Sequence, residues 1–185
     1  MKTASAILML NLLLVIPCLR VAAQADQAPE MPVNPDTKKI TYRQVIEEQG
    51  TPEYLYDKAI GWFRHYYINP NSVYRVQDRV NGKIEGYGRL RLYTRNSRDN
   101  QLSDAGIVIY RIMLELKENR FRYTITDVNL KTLSEYPIEK WMNKTDADYS
   151  PAWDSYLYQV DTVMQRLVST MKEKMKPTVI RKDEW

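Results

Sequence analysis

Apolar residues recur along this chain with two different periods. Leu55, Ala59, Trp62, Phe63 and Tyr66 fall three or four apart, the spacing that lines them along one face of an α-helix. Gly50-Thr51-Pro52-Glu53 marks the start of that helix. Thr51 is the N-cap, and the proline takes the first helical position, where its missing N–H has no partner to lose. Asn69-Pro70-Asn71 ends it. A second helix is predicted over 152–175, where Trp153, Tyr156, Leu157, Val160, Val163, Met164, Leu167 and Met171 make one stripe. Pro177 bars its continuation.

The other period is two. Residues 39–47, with Ile40, Tyr42, Val45 and Ile46, read as a strand before the first helix. Between the helices four more are predicted. Strand 73–80 joins 83–93 through a two-residue turn at Asn81-Gly82, and 107–116 joins 121–128 around 117–120. A polar loop, 94–105, separates the two hairpins, and 129–151 is less regular. The order β-α-β-β-β-β-α predicts an α+β fold, an antiparallel sheet with both helices packed on one face. Alternation turns Ile84, Leu90, Leu92, Val108, Tyr110, Ile112, Leu114, Leu116, Phe121, Tyr123 and Ile125 inward. Gly86 and Gly88 share that side, admitting a close approach or marking a bend.

The first two dozen residues follow neither pattern. Lys2 precedes an apolar run from Ile7 to Ile16, interrupted only by Asn11 and ended by Pro17. Val21-Ala22-Ala23 and Ala23-Gln24-Ala25 both offer small-residue cleavage patterns, so 1–23 reads as a signal peptide and the mature chain begins at Gln24 or Asp26. The run is about half of the ~20 residues a spanning helix needs. Cys18, the only cysteine, raises a lipoprotein alternative, but the proline before it replaces the small residue expected there. A mature chain without cysteine has no disulfide, thiol nucleophile or thiolate metal site. Residues 24–37, with Pro29, Pro32 and Pro35, read as a flexible linker. One domain follows over 38–176, and 177–185 is a charged tail.

Charge alters the picture locally rather than globally. The full chain has 27 Lys and Arg against 23 Asp and Glu; loss of Lys2 and Arg20 with the signal leaves 25 against 23, no case for nucleic acid. The outward positions of the sheet are different. They hold Arg75, Gln77 and Arg79, then Glu85, Tyr87, Arg89, Arg91 and Tyr93, then Arg111, Met113 and Glu115, and last Arg122, Thr124 and Thr126. The candidate ligand-binding residues are therefore Arg75, Arg79, Tyr87, Arg89, Arg91, Arg111 and Arg122, a surface suited to carboxylates, phosphates, sulfates or sugar rings. The alternative is a solvated face whose arginines pair with Glu85 and Glu115 across strands.

No constellation of catalytic type emerges. His65 is the only histidine and sits on the first helix. Gly86-Tyr87-Gly88 lies within a strand and lacks the third glycine of a dinucleotide loop. Asp146 and Asp148 lack the glycine and terminal glutamate of a calcium loop. No catalytic residue, metal or cofactor is expected.

The signal ending in Ala-Gln, the strand before Leu55-Tyr56-Asp57-Lys58-Ala59 and Trp62, and the segment Lys83-Ile84-Glu85-Gly86-Tyr87-Gly88 together resemble a family. These are the secreted Bacteroidetes proteins carrying a domain of unknown function with a TATA-binding-protein-like fold. The resemblance covers about 38–175. It implies a β-α-β4-α fold and no activity, ligand or active site, and likeness to a DNA-binding fold implies no DNA binding. The expectation is an exported, non-enzymatic envelope protein, periplasmic or extracellular. It would meet an anionic envelope component or a protein partner through the open Arg/Tyr face. A periplasmic hydrolase without a recognisable motif and a structural subunit of an envelope assembly are the alternatives.

Overall fold

The computed structural model describes residues 28–96 and 98–177. The signal peptide, its cleavage points, Cys18 and nearly all of the charged tail lie outside the described residues. Strand β1 (Tyr42–Glu47) leads to helix α1 (Pro52–Tyr66) and the single turn α2 (Pro70–Val73). Strands β2 (Tyr74–Asp78), β3 (Lys83–Arg95), β4 (Leu102–Lys117) and β5 (Arg120–Lys131) follow as an antiparallel meander. Short β6 (Glu135–Pro137), a 3-10 turn (Ile138–Met142) and helix α3 (Ala152–Met175) complete the order. The six-stranded sheet runs β1-β5-β4-β3-β2, with β6 beside the far end of β5.

The helices form where their ends and stripes predict. The Thr51 hydroxyl accepts the Tyr54 N–H at 3.3 Å, satisfying a free donor of the first turn. Leu55, Ala59, Trp62 and Phe63 of α1 are buried against Leu157, Val160, Met164, Leu167 and Met171 of α3 and the inner side of the sheet. Trp62 Nε1 donates to Thr170 Oγ1 at 3.2 Å, joining the two helices by one polar contact within an apolar layer. Every inward position predicted by alternation is buried.

The two inward glycines make room. A Cβ on Gly86 would lie 2.7 Å from the Val73 carbonyl oxygen of α2. A Cβ on Gly88 would fall within the ring of Tyr110, its partner directly across on β4.

Four local expectations are corrected. The stretch expected to be a flexible linker is anchored from Met31, which is buried in the core. Thr41 N–H donates to the Pro32 carbonyl at 2.7 Å and Val33 bridges Ile40, while Asn34 Oδ1 accepts from the backbones of Asp36 and Thr37. The prolines there pre-set a tight turn rather than an extended spacer. The polar loop shrinks to 96–101, because β3 and β4 continue past a bulge that leaves Ala105 unpaired. The Asn81-Gly82 turn spans four residues, 79–82, since Asp78 pairs with Lys83. Asp78 Oδ1 accepts the Asn81 N–H, and Gly82 supplies the left-handed backbone at φ +59. Finally, 129–151 contains β6 and the 3-10 turn, whose Ile138 and Trp141 close the core.

Candidate binding surface

All three helices and the 3-10 turn lie on one side of the sheet or at its margin, and among the described residues no element covers the other face. Tyr87, Arg89, Arg91, Arg111 and Arg122 stand on that outward face: Tyr87 is directly opposite Arg111, and Arg122 pairs with Glu115. Arg75 joins them at a bulge between Tyr74 and Val76. Its guanidinium lies 5.7 Å from the centre of the Tyr87 ring and donates to the carbonyls of Ser72 (3.2 Å) and Tyr74 (2.8 Å).

Arg79 does not belong to the face. It reaches back to the helix side, where it makes a two-bond ion pair with Asp57 of α1 at 2.5 and 2.8 Å and lies over the Tyr56 ring. Two features act together: Arg79 lies past the end of β2, in the turn 79–82, and a bulge precedes it in the strand. The bulge shifts the alternation of β2 by one, so that Val76 sits opposite outward Glu85 and Gln77 opposite inward Ile84.

Most of the remaining arginines are already neutralised. Arg111 donates to Glu85 at 2.9 Å and to Asp127 at 3.5 Å; Lys83 meets Glu85 and Lys39 meets Asp127. This chain of alternating charges crosses β3, β4 and β5. Arg122 grips Glu115 through two bonds of 2.6 Å, and Arg91 pairs with Asp104. Of the arginines predicted from sequence, only Arg75 and Arg89 have no carboxylate partner among the described residues. They flank Tyr87, which is 37% exposed. The basic character of the face thus contracts to one corner.

Asp127 and Asp104 were not foreseen as parts of this surface. Asp127 stands in a third bulge, with φ +51, between the residues of β5 opposite Arg111 and Ile109. The bulge turns a residue of inward parity outward, next to Arg111. A charged side chain at an inward position was the available signal.

Two concavities border the face. One, of about 580 Å³, lies between Ile109, Asp127, Asn129 and the turn 131–135. The other, of about 320 Å³, opens just before the start of β2 and is lined by Tyr66, Tyr67, Tyr87, Arg89, Tyr110 and Val163. In it the hydroxyls of Tyr67 and Tyr110 share a hydrogen bond of 3.1 Å. Among the described residues no three His, Cys, Asp or Glu side chains gather as a metal site, and none of the helices is long and apolar enough to cross a membrane. His65 is exposed near the end of α1, and Asp146 and Asp148 form a local turn.

Burial raises the pKa values of Tyr67 and Tyr110 well above the ordinary tyrosine range. Burial, with the hydrogen bond to Asp161, does the same for Tyr42. The native state therefore holds these protons more tightly than the unfolded chain. That stabilisation is complete below about pH 10, the ordinary tyrosine value, and is lost as pH rises above it toward the folded values. The melting temperature is expected to fall above about pH 10, with the phenolate absorbance of these three rings appearing only on unfolding. Their titration in the intact native state would contradict this placement.

Residues 42–131 match a family model described as a domain of unknown function (DUF4468) with TBP-like fold. No curated protein sequence matches the chain. Among solved structures, a DUF4468 family protein from Bacteroides ovatus superposes with a TM-score of 0.60 at 15% identity, covering 77% of this chain and 90% of that one. A TBP-like protein from Parabacteroides distasonis gives a TM-score of 0.50 at 11% identity, covering 72% and 93%. At such identities the likeness is one of fold.

Proposed function

Residues 42–131 being a DUF4468 domain with a TBP-like fold, we propose that the chain is an exported, non-enzymatic envelope module that binds an anionic partner at the Arg75–Tyr87–Arg89 corner of its open sheet face. The observation that carries this reading is the contrast within the face. Among the described residues, three of the five arginines on the face are satisfied by carboxylates, whereas Arg75 and Arg89 have none and flank an exposed aromatic ring. A guanidinium beside a tyrosine can hold an anion by charge-assisted hydrogen bonds while the ring supplies apolar contact. Export rests on the charged start, short apolar run and small-residue cleavage pattern of residues 1–23. The intact mass of the protein recovered from its host tests it, with a start at Gln24 or Asp26 expected and a lipid on Cys18 contradicting it.

Retention on immobilised polyglutamate tests the corner. Substituting Arg75→Gln and Arg89→Gln together is expected to weaken retention about tenfold, a loss of about 1.4 kcal/mol. Stability should change by no more than about 1 kcal/mol, because neither side chain is part of a buried pair. Arg122→Gln should leave retention unchanged, since Glu115 already compensates that charge. Wild-type retention should weaken with salt as screening contracts toward about 8 Å. Equal loss from Arg122→Gln, or none from the double variant, would remove the corner as the site.

A further inference from the structure

β3 lacks a neighbour on one side over most of its length. β2 pairs with it only as far as Gly86, so, among the described residues, 87–95 have β4 on one side and no strand on the other. Gln159 of α3 reveals which backbone groups face this open edge. Its side-chain amide stands in for a peptide group: Oε1 accepts the Tyr93 N–H at 2.9 Å, and Nε2 donates to the Tyr93 carbonyl at 2.8 Å. Along an antiparallel strand such edge-facing pairs recur at every second residue. β3 itself is regular here, because the extra residue of the nearby bulge belongs to β4. The N–H and C=O groups of Tyr87, Arg89 and Arg91 therefore face the same open side. From Tyr87 to Arg91 the free edge is ~13 Å long at about 3.3 Å per residue, and it ends at Tyr93, which Gln159 already occupies.

The surroundings of the edge differ on its two sides. On the outward side stand Arg75, Arg89 and Arg91. On the helix side lies the concavity of about 320 Å³ lined by Tyr66, Tyr67, Tyr110 and Val163.

We propose that the open edge of β3 takes an extended acidic segment of a partner protein as an added strand. Its acidic side chains would alternate with apolar ones, the former meeting the arginines and the latter entering the tyrosine-lined concavity. This rests on the anionic-partner reading of the Arg75–Tyr87–Arg89 corner and supplies the class of partner. Main-chain hydrogen bonds provide affinity in strand addition, and alternate side chains provide selectivity. Charge favours this occupant over a second copy, because antiparallel self-pairing would set Arg89 and Arg91 against like charges. The described ends of the chain lie elsewhere: Val33 bridges Ile40 before β1, and Pro177 is beside Glu47 and Asn119.

The experiment uses a capped peptide of about nine alternating Glu and Val residues, enough to span the edge. Binding to the mature protein is followed by fluorescence anisotropy, and amide exchange is followed by NMR. The Glu/Val peptide is expected to bind and to slow exchange at Arg89 and Arg91, whereas a Lys/Val peptide does not bind. N-methylation of every second peptide nitrogen on the bonding edge keeps the charges and removes the donors, and is expected to weaken binding about tenfold or more. Equal binding of the methylated peptide overturns strand addition and leaves the anion-binding corner standing. So does retention on polyglutamate with no binding of the Glu/Val peptide. Failure of both probes overturns both readings. Sedimentation showing a dimer in which amide exchange at Arg89 and Arg91 is slowed without any peptide would assign the edge to a second copy and overturn the proposal.

Discussion

Alanine in place of Trp62 is expected to lower the unfolding free energy by about 3–5 kcal/mol, the range for removing a large buried aromatic side chain. The indole is wholly buried where α1 meets α3. Its ring lies 4.9 Å from that of Phe63, stacks on Tyr66 at 5.2 Å and meets Tyr67 edge-on at 5.9 Å. Such contacts add to the area term, and they collapse together. Its N–H also bonds Thr170. Trp62→Phe keeps much of the volume but not that donor, and is expected to fall well short of the alanine loss. Urea unfolding followed by circular dichroism separates the two, since the slope of free energy against urea should stay the same while the midpoint moves. A loss below about 1 kcal/mol for Trp62→Ala would mean that the helices do not close over this side chain.

Leu114→Ala is expected to cost about 2–5 kcal/mol. Leu114 is at the middle of the sheet, opposite Ile84 on β3 and Tyr123 on β5, with no exposed surface. Neighbours on both sides are themselves buried, which limits how far the site can collapse around the missing atoms. Met113, one residue earlier, stands opposite Glu85 and Thr124 on the outward face, so Met113→Ala should cost distinctly less. A one-residue slip of β4 would exchange the two results, because every side chain would change face. Paired denaturation curves for the two variants therefore measure register directly.

The helices, the meander and the inward residues were legible because each follows from a short-range rule. Thr51-Pro52 begins α1, and the apolar stripe places α3 at Ala152–Met175. Alternation identified a core that runs unbroken through β3, β4 and the first half of β5. It failed at Arg79, which also lies past the end of its strand, and passed over Asp127, because a bulge inserts a residue, and a period of two carries no memory across it. Met31 escaped notice for another reason. A proline-rich stretch with few apolar residues has the composition of a spacer, and the burial of Met31 depends on the assembled core rather than on its neighbours in sequence. The balance of charge on the outward face was illegible for a similar reason. Glu85, Arg111 and Asp127 are far apart in sequence and become neighbours through the order of the strands.

Gly88 and Tyr110 carry an implication for how such a sheet can diverge. The ring from one strand occupies the space that a side chain on the other would need, so the two positions are not free to drift separately. A lineage that gains a side chain at 88 must first have lost the ring at 110. That loss takes from Tyr67 its hydroxyl partner in the buried concavity. The order of substitutions is thereby constrained: the small residue at 88 is retained for as long as the tyrosine is, and Tyr67 is released from its partner as soon as the ring at 110 is gone.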